Sequence, residues 1–282
     1  MAKEIGIHLS YWQVQWSDDL LPLIGKAKQA GFKVAEFPLL MPEDLDYSRL
    51  KRELDRQQML ASCGTGLSPD TDITSPDARV RQNGLNFLKA CIEGAARLGS
   101  PVLGGVNYAP WGMFPEDDFE DRKKRCVDSL QQAALVAKRE GVVICMEIVN
   151  RFEGYLINTV QQGLEIIEEI NSNYIKLHLD TFHLNIEADR IGEEIIKAGE
   201  HLGHFHCVAN NRKAPGKGHI PWDEIRQALD DIRYRGFLVA ETFVNPAGEV
   251  GRGLSIWRPL ADDLDENARQ TANFMKRTLI DV

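Results

Sequence analysis

The sequence predicts a closed parallel (β/α)₈ barrel that uses the whole chain, residues 1–282, as a single domain. Three observations predict it. Eight short apolar stretches alternate with eight amphipathic ones, and no linker-like or low-complexity break interrupts them. The first apolar stretch runs into "SYWQVQW", where an open doubly wound sheet usually has a Gly-rich turn.

Taken in order, "IGIHL" (5–9) predicts the first strand, and the amphipathic stretch 19–30 that follows predicts a helix ending at the glycine of "AKQAGF". "VAEF" (34–37) leads to a helix over 47–57, and "MLASCGT" (59–65) to a long helix over 77–98 that stops at "ARLGSP". "PVLGG" (101–105) precedes a helix over 118–140 closed by "KREGVV". "VVICME" (142–147), "IKLHLD" (175–180), "LGHFHC" (202–207) and "FLVAE" (237–241) complete the strands. Their helices are predicted over 159–170, 190–200, 222–232, with a stop at "RYRGFL", and 266–279. On the last of these, Ala268, Phe274 and Leu279 form an apolar stripe that covers the barrel or a neighbouring subunit.

Composition excludes several function classes. The chain is 43% apolar and 27% charged, as ordinary globular proteins are, and has no apolar run long enough to span a membrane. The N-terminal "MAKEIGIHLS" lacks the apolar core of a secretory signal. Five cysteines, odd in number, scattered and never in a CxxC pair, suit reduced thiols and a cytoplasmic location. A net charge of −9 argues against a nucleic-acid partner and is easier to reconcile with a small neutral substrate.

Strand parity locates the chemistry. In 175–180, Ile175, Leu177 and Leu179 share one face, so Lys176, His178 and Asp180 point into the barrel. The same rule sends Cys145 and Glu147 inward, with His204 and His206, and Val239 and Glu241. Glu147, Asp180, His206 and Glu241 are therefore the last inward residues of four consecutive strands, at the end of the barrel where such enzymes keep their active sites. Three unpaired carboxylates would repel one another, and a divalent cation removes that conflict. The hard ligand set favours Mn²⁺, with Mg²⁺ or Co²⁺ as substitutes, over structural zinc.

Other polar residues read differently. Glu36 ends the second strand in the same way but is expected far round the barrel, in an interior salt bridge. His178 and His204 are expected one layer deeper, as hydrogen-bonded core residues. Glu153, His183 and Arg212 lie in loops beyond the strand ends, where rim residues bind substrates. Trp12, Trp16, Trp111 and Phe243 fall at strand ends, as packing residues or as a wall for a sugar ring. The Gly and Lys of "ANNRKAPGKGH" do not complete a phosphate-binding loop.

At these residues the chain resembles the ketose 3-epimerases, the D-tagatose, D-psicose and L-ribulose 3-epimerases of the xylose-isomerase-like TIM barrels. The resemblance is carried by "SYWQVQW", "DITSPDARVRQNG", "MEIVNRFEGYLINT", "LDTFHLNIE", "LGHFHCVANNR", "PGKGHIPWDEI" and "GLSIWRPL", which span nearly the whole chain. It implies a metal on Glu147, Asp180, His206 and Glu241, and a substrate oriented by Glu153, His183 and Arg212. It further implies a metal-stabilised enediolate, with Glu147 and Glu241 exchanging the C3 proton, and a homodimer or homotetramer. The chain departs from the family pattern at Ala209 (usually acidic), Thr242 (often Pro), His8 (commonly aromatic) and Gly64 (usually larger). His8 and Gly64 would meet the distal end of the sugar. An aldose–ketose isomerase, or an epimerase or lyase of a larger 3-keto-sugar or keto-glycoside, is the alternative expectation.

Overall fold

Residues 3–116 and 118–281 are described by the structure, a computed structural model. Eight parallel strands close into a barrel in chain order: β1 (Glu4–His8), β2 (Val34–Pro38), β3 (Leu60–Leu67), β4 (Val102–Pro110), β5 (Val143–Glu147), β6 (Ile175–Asp180), β7 (Leu202–Cys207) and β8 (Phe237–Ala240). Closure is made by β1 pairing with β8, with Ile5 opposite Leu238 and Ile7 opposite Ala240. Every sheet edge is thereby removed. The helices are α1 (Leu21–Ala30), α2 (Tyr47–Gln57), α3 (Ala78–Leu98), α4 (Phe119–Glu140), α5 (Val160–Ile170), α6 (Thr181–Glu187), α7 (Ile191–Ala198), α8 (Trp222–Asp231), α9 (Gly248–Gly253) and α10 (Leu264–Met275).

Local chemistry sets the helix ends. Asp118 accepts hydrogen bonds from the Glu120 and Asp121 amides, and Thr159 with Gln162 forms a reciprocal capping box on α5. Gly31, Gly99 and Gly141 stop α1, α3 and α4 in the left-handed conformation. After α8 the expected stop at Gly236 is not used. Arg233 takes the left-handed position at φ 56° instead, while the Arg233 and Tyr234 amides bond back to Asp230 and Leu229.

The main apolar core lies between sheet and helices. Ile5, Ile7, Phe37, Leu103, Ile144, Met146, Leu177, Leu179, Phe205 and Leu238 all belong to it, as alternation requires. Val34, Phe237 and Val239 form a separate small cluster. Gly6 packs beside it, because a Cβ there would lie 2.8 Å from that of Val34. Glu36, Glu147, His178, Asp180, His204 and His206 make much of the remaining interior polar. Ala268, Ala272, Met275 and Leu279 bury the C-terminal helix on the barrel, and Phe274 packs edge-on against Trp222. That stripe therefore covers the chain's own barrel.

Two α-helices escaped the sequence reading, α6 and α9. β4 runs five residues beyond its expected end, because a register shift between the Gly66–Val106 and Leu67–Pro110 pairs lets the strand continue alongside β3.

Candidate active site

β5 to β8 end side by side, so Glu147, Asp180, His206 and Glu241 converge: one ligand atom from each lies within 4.8 Å of the others. Asp180 is fully buried and divides its carboxylate. Oδ1 accepts from the Phe182 amide at 2.7 Å and so caps α6, while Oδ2 is buried without a hydrogen-bond partner. His206 Nδ1 is likewise buried and unpartnered, 3.5 Å from Glu241 Oε1 and 4.0 Å from Glu147 Oε1. Unsatisfied buried acceptors are rare and costly. Three carboxylates and an imidazole nitrogen turned toward one point form a donor set that fits a divalent cation.

Glu36 is not remote from this group. It reaches across the barrel interior, with Oε2 2.6 Å from His204 Nε2 and Oε1 2.6 Å from His206 Nε2. The expected interior ion pair is present, but it touches one of the four converging residues directly. Sequence position alone hid this, because strands distant in order face each other across a closed barrel. His178 and His204 sit in the same buried layer, and His178 Nδ1 accepts from the Gly105 amide at 3.2 Å.

The rim residues form a connected set. His183 Nδ1 accepts from the Asn150 backbone N–H at 3.2 Å, which leaves the proton on Nε2, 3.7 Å from Glu147 Oε1. Glu153 accepts from Asn150 Nδ2 at 2.9 Å and from Trp111 Nε1 at 3.1 Å. Asn150 thus orients two rim residues and was missed, although it stands in the quoted "EIVNRFE" stretch. Its role follows only from the turn that brings its amide under His183. Arg212 is held in the left-handed region (φ 61°) and its guanidinium lies 3.9 Å over the Phe182 ring. It reaches Glu241 at 3.2 Å, Glu153 at 3.4 Å and Asp180 at 3.5 Å.

A cleft of about 330 Å³ opens over this group. His8, Trp16, Gly64, Trp111, Glu147, Glu153, His183, His206, Arg212, Glu241 and Phe243 all line it, and Asp180 lies beneath. Trp12 turns away, donating from Nε1 to Asp265 on α10. At the far wall, a Cβ on Gly64 would meet only His8, at 3.8 Å, and one on Gly66 would meet nothing within 4 Å. Ala209 and the Thr242 hydroxyl are buried outside the cleft lining.

Charge is distributed unevenly among the carboxyls. Burial, reinforced by the Glu241 charge, holds Glu147 well above the usual carboxylate range. Burial also raises Asp180, to about 7, although Arg212 opposes it. For Glu241 burial is overcome by His206 and Arg212, which hold it at about 2. Burial and the Arg212 charge keep His183 neutral by depressing its pKa.

A family model described as xylose isomerase-like TIM barrel matches residues 24–278. The chain is 37% identical over 266 residues to a D-psicose 3-epimerase of Ruminiclostridium cellulolyticum, covering 93% of this chain and 91% of that protein. An L-ribulose 3-epimerase of Methylomonas sp. is 32% identical over 279 residues, covering 97% of each. Among solved structures, the D-psicose 3-epimerase of Clostridium cellulolyticum H10 with D-tagatose superposes with a TM-score of 0.93 at 36% identity, covering 98% and 99% of the two chains. With a closed eight-stranded barrel, a converging acidic cluster at its strand ends and matches over nearly its full length, this chain belongs to the xylose isomerase-like TIM barrel family.

Proposed function

We propose that the protein is a metal-dependent ketose 3-epimerase. The observation that carries the reading is the convergence of Glu147, Asp180, His206 and Glu241 under one cleft. Relatives named as D-psicose, L-ribulose and ketose 3-epimerases support it. The four residues would hold one divalent cation, Mn²⁺ by ligand hardness. When bound, the ion polarises a substrate carbonyl and stabilises negative charge that develops on its oxygens.

Epimerisation at C3 of a 2-ketose requires a proton to leave one face of the carbon and another to arrive on the opposite face. Glu147 and Glu241, which both line the cleft, are the acid–base pair this demands. Which of them takes the proton depends on the epimer bound. His183 Nε2–H and the Arg212 guanidinium donate to substrate oxygens, and Glu153 fixes a terminal hydroxyl. Trp16, Trp111 and Phe243 wall the sugar, and His8 with Gly64 bounds its distal end. The polar rim and apolar walls suit an uncharged sugar.

The test is NMR in D₂O with Mn²⁺ and a panel of ketoses and keto-glycosides. Deuterium entering a ketose at C3, abolished by EDTA and restored by Mn²⁺, is the expected result. Label at C1 or C2 alone would replace the reading with aldose–ketose isomerisation. Glu147→Gln and Glu241→Gln should each abolish turnover with the fold intact, and near-full activity in either would remove the pair.

A further inference from the structure

The interior under the cleft is organised around Glu36. Both of its carboxylate oxygens are buried, and each lies 2.6 Å from the Nε2 of a histidine, His204 or His206. An ionised carboxylate only accepts hydrogen bonds, so both histidines must present Nε2–H to it. A neutral imidazole has a single N–H. With Nε2–H committed to Glu36, Nδ1 is the nitrogen His206 can offer a cation, and it faces Glu147 and Glu241 without a hydrogen-bond partner.

The surroundings restrict both groups. His204 occupies the second oxygen of Glu36 and so stops the carboxylate from rotating. The His178 ring meets His206 edge-on at 4.0 Å, and its own tautomer is fixed by the Gly105 amide. Space for this layer depends on Gly104, where a Cβ would come within 3.1 Å of the His178 and His204 rings.

We propose that Glu36 is a positioning residue, which fixes the tautomer and ring plane of His206 and thereby sets the affinity of the four-residue group for a divalent cation. Residues that orient a ligand typically matter by about 10- to 100-fold in metal affinity. The inference rests on the reading of that group as a cation site.

The experiment titrates Mn²⁺ into full-length, chelator-stripped protein and follows free Mn²⁺ by electron paramagnetic resonance. Glu36→Gln brings an amide NH₂ against one histidine and removes the charge from both. It should raise the Kd for Mn²⁺ by about tenfold or more, with kcat at saturating Mn²⁺ largely kept and Glu36→Asp restoring part of the affinity. An unchanged Kd with only a lowered Tm would reduce Glu36 to a structural role and overturn the inference, as would a kcat lost even at saturating Mn²⁺. Wild-type protein that binds no Mn²⁺ would remove the cation reading and the inference together, whereas binding that is indifferent to Glu36 removes the inference alone. Should Glu36→Gln not fold, ¹⁵N-histidine NMR of the Mg²⁺-loaded wild type decides: a proton on His206 Nε2 supports the proposal, and one on Nδ1 overturns it.

Discussion

Asp180 serves two structures at once, capping α6 with one oxygen and facing the cleft with the other. Its carboxyl titrates near 7 because burial disfavours the anion. Burial raises Glu147 as well, and His206 also holds its proton above the ordinary range, since Glu36 and Glu241 outweigh the burial that opposes the charge. A cation competes with all these protons. For raised carboxyls the competing proton is bound below the pKa and gone above it, so Mn²⁺ affinity should climb as pH rises through about 7. Titration calorimetry in buffers of different ionisation enthalpy should detect proton release on binding; a pH-independent Kd would contradict the assignment. The four converging residues were legible from parity, because three are the last inward residues of their strands and Glu241 directly follows the end of β8. Glu36 was legible as inward but not as a neighbour of His206, since parity specifies a side and not a reach. Asn150 carried no periodic signal at all.

At the scale of elements, strands and long helices were legible because their apolar periods and glycine stops agree, as at α3 and α4. The short helices were not. α6 starts immediately after β6, and its first turn is tied by Thr181 Oγ1 donating to Val208 O at 2.6 Å and accepting from the Val208 amide at 2.8 Å. Those are tertiary bonds, invisible to a periodicity argument. The backbone of β4 at Gly105 is a similar case. Gly105 combines φ 98° with a backbone so close to β3 that a Cβ would lie 2.0 Å from Thr65 O. Gly105→Ala should therefore cost about 2 kcal/mol or more in urea unfolding. It should also disturb the amide that bonds His178, which lowers Mn²⁺ affinity in the same preparation. An alanine variant of wild-type stability would mean that the strand is not constrained by this contact.

For the molecule as a whole, closure of the barrel brings residues 36, 147, 180, 206 and 241 into one small volume from five strands. Binding energy at such a point is distributed into the fold, because an unfolded chain does not present the group. Free Mn²⁺ at a hundredfold excess over Kd should therefore stabilise the protein by about 2.7 kcal/mol, seen as a rise in Tm. Glu147→Gln should lose most of that rise, and an equal rise in the variant would place the ion elsewhere.

The five cysteines lie buried and unbridged within the same architecture. Burial pushes the Cys91 and Cys145 thiols up to about 12 and raises those of Cys63, Cys126 and Cys207 as well. Thiolate, the form that oxidants and electrophiles attack, is consequently absent at physiological pH. A reagent that needs a thiolate therefore finds none on the folded molecule, and thiol–disulfide exchange with its surroundings has no cysteine to act on.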